Sequence, residues 1–281
     1  MSVSEALACL APALATRRWA IVGSVADRLH RPGACDRPLP ASADLDLAVW
    51  ARDLPDLIDL RGALARAMRA EVDARLPFRL MSATGLPVDL VPCGPIAHSG
   101  LVDWGRPGLR PMSVRGFEEA VETASPRSAI EGRWPVATVP WLIVLRLLAW
   151  EATSGRRHQD LAAVERLVAT HAPRAERLRE LTDAVRTEGS AQTLAALSAL
   201  GRTGACWSLG ARSARLGAGR RLRLAGRLIE AFVGVPDPAP AYGCDALVHI
   251  SHFWGETPDV VDMQTISRQI AQSWADEMEQ S

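Results

Sequence analysis

Ile21-Val22-Gly23-Ser24 and Ser42-Ala43-Asp44-Leu45-Asp46-Leu47 are the stretches that decide how this chain folds. Residues 44–50 alternate in the manner of a strand. Asp44 and Asp46 stand two apart there, so both side chains point to one face. Two carboxylates held that close repel, and without a cation one would tend to protonate. A divalent ion resolves the conflict, and Mg²⁺ favours a few carboxylates together with phosphate oxygens. Gly23-Ser24 lies after a strand and before a helix, where a backbone N–H and a hydroxyl can hold phosphates.

A third acid follows in Pro87-Val88-Asp89-Leu90-Val91-Pro92, an apolar strand where an unpaired charge is costly. Beside the first pair, Asp89 would complete a metal site. Two ions there could activate an attacking hydroxyl and stabilise a leaving pyrophosphate. An isolated pair of aspartates on a strand reads more simply as a solvated face. The Gly-Ser turn upstream and Asp89 downstream argue against that simpler reading.

Working outward, the pattern predicts a helix over 4–15, a strand over 19–22 and a short helix ending near His30. Residues 31–43, rich in Pro, Gly and Ala, read as a loop. A helix is expected over 54–70, then strands over 75–82 and 87–91 joined by a turn at Thr84-Gly85. After about residue 138 the chain turns helical, over 142–152, 159–170, 175–186, 191–200 and 220–232. A Pro-rich stop at 235–240 precedes a last helix over 259–279. The expected class is α+β, with a mixed-sheet domain over 1–138 and a helical domain over 139–281 ending in an acidic helix.

Composition bounds the rest. The 281 residues are 48% hydrophobic and 23% charged, which excludes wholesale disorder. Lys+Arg and Asp+Glu are both 32, so a uniformly basic coat for nucleic acid is excluded and only a local patch can serve. Every basic residue is arginine; the chain has no lysine. Five cysteines, at 9, 35, 93, 206 and 244, form no CxxC clip, which speaks against a disulfide framework or structural zinc and fits a reducing cytoplasm. The apolar run 6–15 lacks a basic leader and reads as a first helix. The run 139–150 is too short to span a bilayer and contains Arg146, so no membrane segment is expected.

At Gly23, Ser24, Asp44, Asp46 and Asp89 the chain resembles the DNA polymerase β-like nucleotidyltransferase superfamily. Further segments resemble its AbiEii/MenT toxin group: Val88-Asp89-Leu90-Val91-Pro92-Cys93-Gly94, Arg115-Gly116-Phe117-Glu118-Glu119-Ala120, the helix from Val139 to Trp150, and Arg156-Arg157-His158-Gln159-Asp160-Leu161. A weaker echo is Cys206-Trp207-Ser208-Leu209-Gly210-Ala211-Arg212. The resemblance covers roughly residues 15–215. It implies a polymerase-β-like mixed sheet followed by a helical domain, transferring a nucleoside monophosphate from an NTP with Mg²⁺ or Mn²⁺. The implied acceptor is the 3′ end of tRNA, and the implied biology is a toxin of a toxin–antitoxin or phage-defence pair, with the antitoxin a separate chain. Two rivals stand beside it: nucleotidylation of a small molecule or protein, and a catalytically silent nucleotide-binding module.

Two departures are notable. The gap between Ser24 and Asp44 holds 19 residues, longer than the motif usually allows. The group's helix lysine is Arg146 here and its second lysine is Gln159. Arginine neutralises phosphate with a fork rather than a point charge, and it cannot replace lysine in proton transfer.

The resemblance assigns Asp44, Asp46 and Asp89 to the metal, with Asp89 as base toward the acceptor hydroxyl. Gly23, Ser24 and Arg146 hold the triphosphate. Ser24 reads equally as a helix N-cap. Arg146, in an apolar helix, must find a partner, either the triphosphate or a structural ion pair. Asp160 pairs with Arg146, positions a substrate hydroxyl, or caps its helix. His249 and His252 lack further ligands at metal spacing and read as surface or packing residues. Cys93 reads as packing. From 202 to 227 there are seven arginines and no acid. Arg220, Arg221 and Arg223 are candidates for an RNA groove, with Trp207 available to stack a base. A solvated helix face is the alternative for the same arginines.

Overall fold

The computed structural model describes residues 2–31, 33, 44–129, 132–152, 157–172, 175–210 and 216–233. The expectations for 34–43, the Pro-rich stop, the last helix, His249 and His252 lie outside the described residues. So do those for the side chains of Trp207, Arg220 and Arg223.

The central strands are short apolar runs. β1 (Trp19–Val22), β2 (Leu45–Trp50) and β5 (Pro87–Cys93) are almost wholly buried, as interior strands should be. With β3 (Glu71–Val72), β4 (Arg79–Met81), β8 (Ser125–Ala129) and β9 (Gly132–Val136) they form a seven-stranded sheet of order β3-β4-β5-β2-β1-β9-β8. The sheet is mixed: β2 runs parallel to β5 and β1 to β9, and the other pairs are antiparallel. A separate two-stranded ribbon joins β6 (Leu101–Val102) to β7 (Met112–Ser113).

One row of this sheet matters most. Val22 pairs with Asp46, Asp46 with Asp89, and Asp89 with Arg79. Residues in register across neighbouring strands share a face, so the row sets two carboxylates and a guanidinium side by side.

Helix α1 (Val3–Leu14) packs against α3 (Leu54–Met68). Helix α2 (Gly23–Leu29) leaves β1 with no intervening loop and packs on β1, β2 and α5. Helix α4 (Phe117–Glu122) rests on β1, β2, β5 and α5. Then come α5 (Val139–Ala152), α6 (Arg157–His171), α7 (Ala175–Glu188), α8 (Ala191–Gly210) and α9 (Leu216–Val233). None of the described helices is long and apolar enough to cross a membrane.

The sheet and the helical part share one buried cluster, which runs from Leu10 and Ile21 through Trp141 to Phe232. Polar ties reinforce the joint. Buried Glu119 of α4 accepts from the Ser190 backbone N–H at 3.1 Å and its hydroxyl at 2.6 Å. Trp141 Nε1 donates to Glu188 at 2.8 Å.

The strand expected over 75–82 is broken in the structure. Asp73 Oδ1 accepts from the N–H groups of Arg75 at 2.7 Å and Leu76 at 3.0 Å, an Asx turn that, followed by Pro77, leaves only 79–81 extended. The β6–β7 ribbon, α4 and the β8–β9 hairpin have no counterpart in the sequence-based expectations.

Candidate active site

Asp44 immediately precedes β2, Asp46 lies within it, and Asp89 occupies the matching position on β5. Gly23 closes the site from below. It has φ +66°, and a Cβ there would overlap Asp46 Oδ2, so only glycine lets the turn press against that carboxylate. Ser24 follows as the second residue of α2, half-buried. It is not the N-cap: that position is Val22, which makes no side-chain capping bond.

A residue absent from the sequence-based set sits among the carboxylates. Arg79 donates through Nε to Asp89 Oδ1 at 2.6 Å and through Nη2 to Asp89 Oδ2 at 2.7 Å. The same Nη2 reaches Asp44 Oδ2 at 3.1 Å. The fork on Asp89 is the strong bidentate geometry of an arginine and a carboxylate. These hydrogen bonds hold the guanidinium pKa above its ordinary value against the opposing effect of burial, and the charges of Asp89, Asp44 and Asp46 add to the rise.

Arg146 of α5 has its own pair of acids. Nη1 donates to Asp160 Oδ1 at 3.0 Å and Nη2 to Asp27 Oδ2 at 3.1 Å. Both aspartates are only 6% exposed at the side chain. Burial works against this charge, yet Asp27, Asp160 and more distant Asp46 together raise its pKa. Asp160 lies inside the first turn of α6, which starts at Arg157, so it is a buried ion-pair partner rather than a cap. Asp27 is the second residue missed from sequence. It follows Gly23 by four positions on α2, one helical turn.

Asp27 also lines a small cleft with Arg31, Arg166, Thr170 and His171. Asp27 Oδ1 and His171 Nε2 are buried without hydrogen-bond partners among the described residues. Burial and the nearby charge of Arg31 push the pKa of Arg166 down. Of the expected RNA groove, Arg221 is described. Its Nε donates to Glu165 at 2.8 Å, which offsets its charge. Cys93 is buried in the core.

The donor chemistry of Asp44, Asp46 and Asp89 suits Mg²⁺. Their placement does not. Among the described residues no three His, Cys, Asp or Glu side chains converge on a metal position, and Arg79 takes both oxygens of Asp89 and one of Asp44.

No protein-family model matches the chain, and no curated protein matches it. The crystal structure of an antigenic nucleotidyltransferase-like protein from Paracoccidioides brasiliensis is similar at 16% identity and TM-score 0.38, over 79% of this chain and 94% of that chain.

Proposed function

We propose that this chain transfers a nucleoside monophosphate from an NTP to an acceptor hydroxyl. The acceptor in this reading is the 3′ end of tRNA, and the biology is that of a toxin held by a separate antitoxin chain. One observation carries the reading. Asp46 and Asp89 stand in register on adjacent parallel strands, Asp44 lies two residues before Asp46, and the Gly23 turn is pressed against the Asp46 carboxylate.

The residues divide the work as follows. Gly23 and Ser24 offer a backbone N–H and a hydroxyl to the triphosphate. Arg146 spends two of its N–H groups on Asp27 and Asp160. A guanidinium has five, so others remain for phosphate oxygens. The acceptor oxygen attacks the α-phosphorus, the bond from that phosphorus to the bridging oxygen breaks, and pyrophosphate leaves. Asp89 takes the proton of the acceptor hydroxyl. A divalent cation belongs to this reading only if Asp44 and Asp89 can leave Arg79.

Arg31 and Arg166 favour a phosphodiester acceptor. Both are exposed and have no carboxylate ion pair among the described residues. Such charges suit an RNA backbone. A second reading, nucleotide binding without transfer, draws on Arg146: it stands where the resembling group has lysine, and two acids hold it in place.

Purified protein incubated with Mg²⁺, each α-³²P-labelled NTP in turn and total tRNA tests the proposal against an Asp44→Ala/Asp46→Ala control. The expected outcome is label on tRNA that the control loses. NTP consumption with label on the protein, or on no macromolecule, would move the reading to a protein or small-molecule acceptor. Nucleotide binding with no turnover would establish the silent module.

A further inference from the structure

We propose that Arg79 is the resident cation of the carboxylate site, and that a divalent ion enters only by displacing its guanidinium from Asp44 and Asp89. The inference rests on the nucleotidyl-transfer reading in one respect, that these carboxylates serve a metal.

The argument starts from charge. Asp44, Asp46 and Asp89 are held together by strand register, and like charges so placed repel. Arg79 relieves that repulsion from within the sheet. Its partner position across β4 and β5 is Asp89 itself, so the backbone aims the side chain at the site. The three bonds of 2.6, 2.7 and 3.1 Å use the oxygens that a metal would need. A small ion such as Mg²⁺ demands tight, near-octahedral coordination by oxygen. A guanidinium on the same oxygens both blocks the approach and repels the incoming charge.

Release is a side-chain event. The backbone at 79 is held on both sides: its N–H donates to Leu76 O at 2.9 Å and its carbonyl accepts from the Asp73 N–H at 2.9 Å. The guanidinium is not sealed in, with the side chain 21% exposed and Asp44 34% exposed. It can therefore swing toward solvent while β4 stays in place.

The test is Mn²⁺ binding to the whole metal-stripped chain, without nucleotide, read by the loss of free-ion electron paramagnetic resonance signal. A site whose competent state is populated a tenth of the time binds about tenfold more weakly than the unlocked site. Arg79→Met should therefore bind Mn²⁺ about tenfold more tightly than the wild type. Arg79→Lys, which keeps a charge but loses the fork, should fall between. Asp44→Asn in either background should abolish the gain, which locates the ion. Circular dichroism confirms that each variant is folded, and the lysine variant carries the comparison if the methionine variant is not. Wild-type binding that Arg79→Met leaves equal or weaker overturns the competition alone. No Mn²⁺ binding by any of the proteins overturns the competition and the metal reading of the site together.

Discussion

Arg79 and Arg146 each bridge two aspartates, at 2.6–3.1 Å and 3.0–3.1 Å, with side chains exposed by 21% and 22%. Their partners differ. Those of Arg146 come from α2 and α6, are only 6% exposed, and tie three helices together from positions far apart in sequence. Those of Arg79 are Asp44, just before β2 and 34% exposed, and Asp89, within β5 and 13% exposed. The same pairing chemistry therefore serves two ends. Where both acids are sealed, removing the arginine takes the shared cation from two buried carboxylates. Where one acid meets solvent, water or another cation can take the arginine's place.

The largest expected effect follows from the sealed cluster. Arg146→Met keeps most of the stem but leaves Asp27 and Asp160 without their shared cation. Breaking a buried pair by removing one partner costs about 3–5 kcal/mol, a fall of roughly 10 °C in melting temperature for a chain of this size. Thermal unfolding followed by circular dichroism checks it. A shift of under about 2 °C would mean that Arg146 clamps nothing, and the contrast with Arg79 would lapse.

A pH titration sharpens the contrast, because neither arginine cluster loses its cation near neutrality while a neighbouring histidine titrates below it. His30, at the end of α2, meets the Ala137 carbonyl through Nε2 at 2.8 Å. Burial lowers its pKa to about 4 over the opposing effect of that hydrogen bond, and Arg127 and His171 push the same way. The folded pKa lies below the unfolded value of about 6.5, so the stabilisation is whole above that value. It is lost as pH falls toward 4, because the unfolded chain takes up a proton that the folded chain refuses. The loss should approach about 3 kcal/mol at the acid end. Urea unfolding at several pH values between 7 and 4 should show the decline, and His30→Gln should flatten most of it. Some slope should survive from His171, whose pKa burial also lowers. Equal slopes in the two proteins would place the titrating group elsewhere.

Local alternation put Asp44 and Asp46 on one face, since a period of two fixes which side chains share a face, and Asp89 stood out as an acid in an apolar strand. Arg79 was hidden by one residue of register. A two-residue turn at Thr84-Gly85 would set Arg79 opposite Leu90. The loop instead holds three residues, 83–85, with Gly85 at φ +81° and Ser82 N–H bonded to Leu86 O at 3.0 Å, and this places Arg79 opposite Asp89. A one-residue slip moves every side chain to the other face. Asp160 was readable as a partner for Arg146 because it lies only 14 positions away. Asp27 was not, because 119 positions separate it from Arg146 and only the packing of α2 on α5 joins them. The β8–β9 hairpin escaped for a different reason. Prolines 126 and 135 face each other in it, and proline usually speaks against a strand. Here it is tolerated because β8 is an edge strand and β9 meets β1 only at Val136.

The smallest expected effect belongs to Arg79, and its direction under added metal is what separates the two clusters. Arg79→Met removes a bidentate pair, which for a buried and sealed site would cost as much as Arg146→Met. Asp44 meets solvent, though, while Asp89 is largely buried with its side chain 13% exposed, so the loss lies between those of an exposed and a sealed pair. The expected loss without divalent ions is about 2 kcal/mol, a shift of roughly 4–8 °C. Millimolar Mn²⁺ should return that stability to Arg79→Met, since an ion that binds only the folded chain stabilises it. The same ion should stabilise Arg146→Met no more than it stabilises the wild type, since Asp27 and Asp160 are sealed from it. Melting curves of both variants, with and without Mn²⁺, make the comparison directly. Rescue of both variants, or of neither, would show that the carboxylates at Arg79 are no more open to a metal than those at Arg146.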